Sequence, residues 1–245
     1  MEQQDILSMT LPELQAAVQE LGEPKFRAKQ IFNWLHQKRV TDFSEMTTLS
    51  LPFRERLASD FCINRLKIAK RLASSVDDTV KYLYELPDGN YVETVCMQYH
   101  HGTSLCISTQ VGCRMGCRFC ASAIAGFVRN LTPAEMLLQI YETERAQNCK
   151  ISSLVLMGIG EPLDNFDNVL RFLQLLSDPN GYGMSLRHVT VSTCGVVPKI
   201  LELAEQRLGL TLSVSLHCPN DAGRSAIMPI NRSYHPELYS GYSNE

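Results

Sequence analysis

The chain has 245 residues, 44% of them hydrophobic, and a formal charge of -3, enough apolar material for one large domain with a smaller companion. Met1-Glu-Gln-Gln-Asp is not a secretory signal and no apolar run reaches the length that spans a bilayer, so a cytoplasmic protein without a membrane anchor is expected. Nine cysteines are odd in number and lie in a long chain, which speaks against a secreted disulfide scaffold.

The first elements are helical. Thr10-Leu-Pro-Glu-Leu opens a helix with Thr10 as N-cap and Pro12 in the first turn, and Gly22 stops it. A second helix starts at Pro24, with Ala28, Ile31, Phe32 and Leu35 as its apolar stripe. Asp42 to Phe61 reads as further short helix broken at Pro52. Charge is uneven: residues 1–75 sum to +2 and residues 76–245 to -5. Lys25, Arg27, Lys29, Lys38 and Arg39 have no acid between them, and Arg65, Lys67, Lys70 and Arg71 form a second basic stretch. Such runs are ordinarily solvated faces, and they become phosphate-binding surfaces only where other features point to nucleic acid.

After Ser74-Ser75-Val76-Asp77-Asp78, the expected boundary, the period changes from helical to alternating. Val80 to Leu86 and Tyr91 to Gln98 read as strands joined by the turn Pro87-Asp88-Gly89-Asn90. From Ser104 onward strands alternate with helices. Ser104 to Ser108, Ser153 to Met157, His188 to Ser192 and Leu210 to Leu216 are the strands, while Thr132 to Gln147, Asn165 to Ser177 and Val197 to Arg207 are the helices. This alternation implies an α/β fold, a parallel sheet covered by helices, with chemistry at the carboxyl ends of its strands.

The strongest chemical signal sits in one of those strand-end loops. Cys113, Cys117 and Cys120 form a Cys-x-x-x-Cys-x-x-Cys triad. Three thiolates at this spacing can hold three irons of a four-iron four-sulfur cluster and leave the fourth iron open, whereas electron-transfer clusters are saturated by four cysteines. A structural zinc site is the alternative, but it prefers paired arms and four ligands. Cys106, Cys149, His100 and His101 make a poor second arm.

Leu105-Cys-Ile-Ser-Thr-Gln-Val-Gly-Cys-Arg-Met-Gly-Cys-Arg-Phe-Cys-Ala, followed by Gly126-Phe-Val-Arg-Asn-Leu-Thr132, resembles the radical S-adenosylmethionine methyltransferases that act on carbon 2 of adenosine in 23S rRNA and tRNA, the RlmN family. Met157-Gly-Ile-Gly-Glu-Pro-Leu163, Val191-Ser-Thr-Cys-Gly-Val-Val-Pro198, Ser215-Leu-His217 and Met228-Pro-Ile-Asn231 extend the likeness in the family's order. The sister family that methylates carbon 8 of the same rRNA adenosine shares these motifs and is the alternative. A noncatalytic RNA-binding remnant is the third reading.

The resemblance implies a partial (β/α) radical-SAM barrel behind a small helical N-terminal domain. Residues 1–75 would be a basic RNA-docking domain, 76–103 a β-hairpin extension, 104–232 the partial barrel and 233–245 a divergent tail. It implies a 4Fe-4S cluster on Cys113, Cys117 and Cys120, and S-adenosylmethionine held by Gly160, Glu161, Ser192, Ser215, Leu216 and His217. Glu93 matches the family's proton acceptor; alone, a Glu on an alternating strand is ordinarily a solvent-facing residue. Cys106 matches the cysteine that forms a transient disulfide; alone, it reads as a small buried hydrophobe. The expected partners of a monomer are 23S rRNA, tRNA and a reductant such as flavodoxin or ferredoxin.

The implied chemistry explains this inventory. Carbon 2 of adenine is electrophilic and does not attack a sulfonium methyl, so the family uses radicals. One S-adenosylmethionine methylates a cysteine and a second supplies the deoxyadenosyl radical that activates that methyl. The crosslink to adenine then loses a proton and is released by disulfide formation. The target base must be unstacked to reach a barrel mouth. After Asn231 the sequence leaves the family's pattern. The methyl-carrying cysteine and an asparagine that contacts S-adenosylmethionine, both expected beyond that point, have no counterpart here. A frameshift, a fragmentary gene model and a real truncation are the three readings of this tail.

Overall fold

The computed structural model of the protein describes residues 3–234. Its N-terminal part is helical. Helix α1 (Leu11–Glu20) begins at a capping box in which Thr10 and Glu13 serve each other's backbone, and Gly22 closes it at φ +77°. Helix α2 (Phe26–Asn33) runs into one wider turn, Trp34–Lys38. Ala28, Ile31, Phe32 and Leu35 are all buried, as their spacing requires. Helix α3 (Leu51–Asp60) carries Pro52 in its first turn. The expected break at Pro52 is therefore a helix start, since the missing N–H is one that no first-turn residue uses. Strands β1 (Gln4–Asp5) and β2 (Phe61–Cys62) pair in parallel and tie the two ends of this module together.

A seven-stranded mixed sheet follows. Its strands are β3 (Lys67–Ala73), β4 (Val80–Glu85), β5 (Tyr91–Tyr99), β6 (Gly102–Cys106), β9 (Ile151–Leu156), β10 (Val189–Thr193) and β11 (Thr211–Val214). The spatial order is β11-β10-β9-β6-β5-β4-β3. The contacts β6·β9, β9·β10 and β10·β11 are parallel, and β3 to β6 form an antiparallel meander. The four parallel strands are those expected from the alternation. Strand β3 was not expected. The Ser74–Asp78 stretch, read as a boundary, is the turn between β3 and β4, so Lys67–Ala73 leaves the helical segment and forms one edge of the sheet. Every β3 residue is exposed, and its Lys67, Lys70 and Arg71 give that edge the charge that discourages unwanted strand pairing. A separate hairpin, β7 (Gln110–Gly112) with β8 (Phe127–Asn130), brackets the cysteine loop.

Helices α4 (Pro133–Gln147), α5 (Phe166–Ser177) and α6 (Val197–Glu205) link the parallel strands. In α4 twelve consecutive residues, Pro133 to Glu144, are buried, because the sheet covers one side of the helix and the N-terminal module the other. Its buried glutamates are matched by cations: Glu135 by Arg129, Glu142 by Arg65 and Arg145, and Glu144 by Arg39. His36 Nδ1 lies 2.9 Å from the Tyr141 hydroxyl. Module and sheet therefore share one continuous core. A last helix, α7 (Asp221–Ile227), follows β11. Most of the tail expected to diverge, residues 235–245, lies outside the described residues. No described helix is long and apolar enough to cross a membrane.

Candidate active site

Sheet register decides which side chains share a face. Across the sheet Lys81, Val95, Cys106, Val155, Thr190 and Thr211 form one row, and side chains two residues along each strand point the same way. Glu93 and Ser192 therefore share the face of Cys106, opposite to the buried Tyr82, Tyr84, Val92 and Leu105 that pack beneath the helices. Glu93 pairs with Lys81 Nζ at 2.6 Å, both side chains partly exposed. Cys106 is half-buried, and burial raises its thiol pKa.

The loops at the carboxyl ends of the strands are pinned by buried polar groups. After β6, Ser108 N–H donates to Gln139 Oε1 at 2.9 Å and Gln139 Nε2 donates to the Ser108 carbonyl at 3.0 Å, while Ser108 Oγ donates to the Glu93 carbonyl at 2.6 Å. The loop after β9 packs against this segment so tightly that a Cβ on Gly158 would meet the Ile107 carbonyl oxygen at 2.6 Å, and one on Gly160 would meet Gln110 Cβ at the same distance. Gly160 also sits at φ +107°, which a side chain rarely tolerates. Gln110 Oε1 then accepts the Glu161 N–H at 2.9 Å. Glu161 is buried, and its carboxylate accepts the Leu163 N–H at 3.0 Å and the Cys194 N–H at 2.7 Å, joining the β9 and β10 loops. Burial raises its pKa, and these hydrogen bonds oppose the rise.

Cys113, Cys117 and Cys120 lie in the loop between β7 and β8 and face an open cleft of about 280 Å³. Gly160, Glu161, Ser192, Ser215 and His217 line the same cleft, so the structure brings these expected residues together with the triad. Leu216 is not among the lining residues and is 45% exposed. Glu93 and Cys106 stand on the adjoining sheet face rather than in the cleft wall. His217 adopts φ +58°, an uncommon conformation for a residue with a side chain, and its ring stands 4.5 Å from that of Phe119 in the cysteine loop.

Burial raises the pKa of the Cys113 and Cys117 thiols, and nearby thiols and Glu161 add to the rise. Acidic groups crowded in this way ionise readily as ligands of a cationic centre. Among the described residues no group of three His, Cys, Asp or Glu side chains converges as ligands of one ion. The donor set of three separate soft thiolates around a common cleft suits a multi-iron group, one thiolate to each of three irons.

Sequence reasoning missed one residue of this region, Arg224. Cys194 and Met228 pack with Cys117 in a small buried cluster, and Arg224 of α7 is fully buried behind it. The only local signal for Arg224 was that α7 follows a strand-end loop, because burial of an arginine depends on contacts distant in sequence.

Comparisons with known proteins agree with this geometry. A family model for the N-terminal domain of ribosomal RNA large subunit methyltransferases matches residues 4–63, and the radical SAM superfamily model matches residues 107–239. A probable dual-specificity RNA methyltransferase RlmN from Lachnoclostridium phytofermentans is 52% identical over 233 residues, 94% of this chain and 65% of that relative. The corresponding protein of Clostridium novyi is 48% identical over 94% of this chain and 67% of its own length. The crystal structure of a radical SAM methyltransferase from Sphaerobacter thermophilus superposes with a TM-score of 0.91 at 36% identity, over 97% of this chain and 71% of that one. The chain thus spans about two thirds of the length of these curated relatives. The radical SAM superfamily implies a 4Fe-4S cluster and S-adenosylmethionine, and Cys113, Cys117 and Cys120 fit the first of these. With this fold, this thiol set and this identity to its relatives, the chain belongs to the RlmN family of radical SAM proteins.

Proposed function

We propose that this chain forms the cluster-bearing and S-adenosylmethionine-binding part of an RNA methyltransferase that modifies carbon 2 of adenosine in 23S rRNA and tRNA. The observation that carries this reading is the convergence of Cys113, Cys117 and Cys120 with Gly160, Glu161, Ser192, Ser215 and His217 on one cleft. When bound, the cluster supplies the single electron that breaks the sulfonium bond of S-adenosylmethionine.

The remaining roles belong to the chain's own residues. Gly160 and Glu161 hold the methionine ammonium, with the Glu161 carboxylate already oriented by the N–H groups of Leu163 and Cys194. Ser192, Ser215 and His217 contact the rest of the cosubstrate, Leu216 through its backbone. Glu93 takes up the proton lost from the adenine crosslink, with Lys81 as its ion-pair partner. Cys106, on the same sheet face, closes the disulfide that releases the product. The methyl-carrying cysteine is proposed to belong to the further length that the relatives possess.

Residues of the basic N-terminal segments dock RNA. Lys25 and Lys29 are exposed, Lys38 lies 3.6 Å above the Trp34 ring, and Lys67 and Arg71 are exposed on β3. Arg39 and Arg65 are excluded from this role, since each serves a buried glutamate of α4. Flavodoxin or ferredoxin donates the electron, and the protein works as a cytoplasmic monomer.

Anaerobic reconstitution tests the reading. The expected protein binds about four irons, and its visible spectrum changes on adding S-adenosylmethionine. Stoichiometric zinc in place of iron overturns it. With a chain extended to the relatives' length, position-resolved mass spectrometry of the RNA product distinguishes 2-methyladenosine from the 8-methyl isomer.

A further inference from the structure

Arg224 is fully buried, and no carboxylate among the described residues pairs with it. Its Nη1 donates to the carbonyls of Ser215 at 2.8 Å and Leu216 at 2.9 Å, and its Nη2 donates to the carbonyl of Cys194 at 2.6 Å. Its Nε is buried without a hydrogen-bond partner. A guanidinium does not surrender its proton, so this is a full positive charge held away from water by carbonyl dipoles. Burial of a cation without an anion is strongly unfavourable.

The surroundings give that charge a direction. Met228 lies 2.8 Å from Nη1 and packs in the same buried cluster as Cys117 and Cys194. The Arg118 N–H, inside the cysteine loop, donates to the Ile227 carbonyl at 2.9 Å, fixing the end of α7 against that loop. Arg224 thus stands behind Cys117, on the inner side of the cleft.

We infer that Arg224 is a positioning residue that fixes the carbonyls of two strand-end loops and supplies the positive charge favouring the reduced state of the cluster held by Cys113, Cys117 and Cys120. The inference rests on the cluster reading above. A cluster bound by three thiolates is an anion, and an arriving electron makes it more negative, so a fixed cation nearby favours reduction. Net charge close to such a group is one of the levers that set its potential. Because Arg224 is tied to carbonyls rather than to a carboxylate, its charge is not cancelled locally. Removing a unit charge under partial screening lowers the ratio of reduced to oxidised cluster by about tenfold at a fixed potential.

The experiment compares the wild type with Arg224→Met, Arg224→Gln and Arg224→Lys after anaerobic reconstitution. Iron content is measured first, and then the reduced fraction is read by electron paramagnetic resonance at a series of poised potentials. The Met and Gln variants are expected to show the tenfold drop, and the Lys variant, which keeps the charge, to stay close to the wild type. Gln retains donors for the strand-end carbonyls, so it gives the answer if the Met variant does not fold. Wild-type ratios in a cluster-loaded Met or Gln variant overturn the electrostatic role. A tenfold drop in the Lys variant does so equally. A wild-type protein that takes up no iron overturns the cluster reading, and this inference with it, so the two failures are distinguishable.

Discussion

Glu161 and Arg224 grip the same residue from opposite sides. Glu161 Oε2 accepts the Cys194 N–H at 2.7 Å and Arg224 Nη2 donates to the Cys194 carbonyl at 2.6 Å. The loop after β10 is therefore held between a carboxylate that follows β9 and a guanidinium that follows β11, which ties three strand ends together. Glu161→Ala strands the Cys194 and Leu163 N–H groups, at about 1–3 kcal/mol for each buried donor. Glu161→Gln keeps one acceptor and is expected to lose less stability while still losing affinity for S-adenosylmethionine. Urea unfolding of the apo proteins and equilibrium binding to the reconstituted ones measure the two effects separately.

The cysteine loop makes a sharper prediction. Cys117 is buried among Cys194 and Met228, whereas Cys113 and Cys120 are half-buried. Cys117→Ala is expected to abolish both iron uptake and the spectral response to S-adenosylmethionine. Cys218→Ala, outside the triad, should leave iron uptake unchanged. Equal iron content in the Cys117 variant and the wild type contradicts the ligand assignment.

The cationic surface divides into two groups with different signatures. If Lys25, Lys29, Lys38, Lys67 and Arg71 contact phosphates, each charge removal flattens the salt dependence of RNA binding by about one unit of slope, with little change in stability. Arg39→Met deprives buried Glu144 of its nearer cation and is expected to destabilise the fold by roughly 2–3 kcal/mol, because Lys150 at 3.8 Å, Tyr182 and the Ile151 N–H still serve that carboxylate. Filter binding across a salt series, beside denaturant melts, reads both. Unchanged slopes in the lysine variants remove the docking role.

These predictions differ in how far the sequence foreshadowed them. The cap at Thr10 was legible because a threonine followed by a first-turn proline marks a helix start within a few residues. Strands β9, β10 and β11 were legible because each is a short run that follows a helix in a regular alternation. Strand β3 was not: Lys-Ile-Ala-Lys-Arg-Leu-Ala has no alternation of polarity, and hydrogen bonds to β4 alone make it a strand. Pro52 was misread because proline serves equally to end a helix and to begin one. The triad carried its own chemistry, but Arg224 did not, since a buried arginine held by carbonyls leaves no complementary residue nearby in sequence.

Acid should weaken the contact between the N-terminal module and α4. Burial pushes the His36 pKa from 6.5 down to about 4, so the folded state binds fewer protons than the unfolded chain between those values. Stability contributed by neutral His36 is present above pH 6.5 and is lost as pH falls toward 4. Asp5 opposes this: burial raises its pKa from 3.8 to about 6, so its contribution grows as pH falls through that window. The comparison must therefore be between proteins. Replacing His36 with Gln should remove an acid loss on the order of 3 kcal/mol between pH 7 and pH 4, leaving the variant's pH profile flatter or reversed in slope. Parallel profiles for the variant and the wild type contradict the assignment.

The last prediction concerns methyl transfer. In the family mechanism one thiol carries the methyl group and another forms the disulfide that releases the product, and a single sulfur cannot do both at once. Cys106 is the residue proposed for the second role, and it stands on the same sheet face as Glu93. Cys113, Cys117 and Cys120 are the proposed cluster ligands. Of the remaining cysteines, Cys96 is buried on the opposite side of β5, with its thiol pKa pushed up to about 12, and Cys194 is buried in the cluster with Cys117 and Met228. Neither is placed to carry a methyl group to an incoming base. The 245-residue chain alone is thus expected to bind the cluster and S-adenosylmethionine yet make no methyladenosine, whereas a chain extended by the corresponding C-terminal segment of a relative is expected to make it. Incubating both with a 23S rRNA fragment, a reductant and labelled S-adenosylmethionine measures this directly. Labelled 2-methyladenosine from the short chain at a rate near that of the extended one would assign the carrier to a cysteine already present, with Cys62, Cys149 and Cys218 the first to replace.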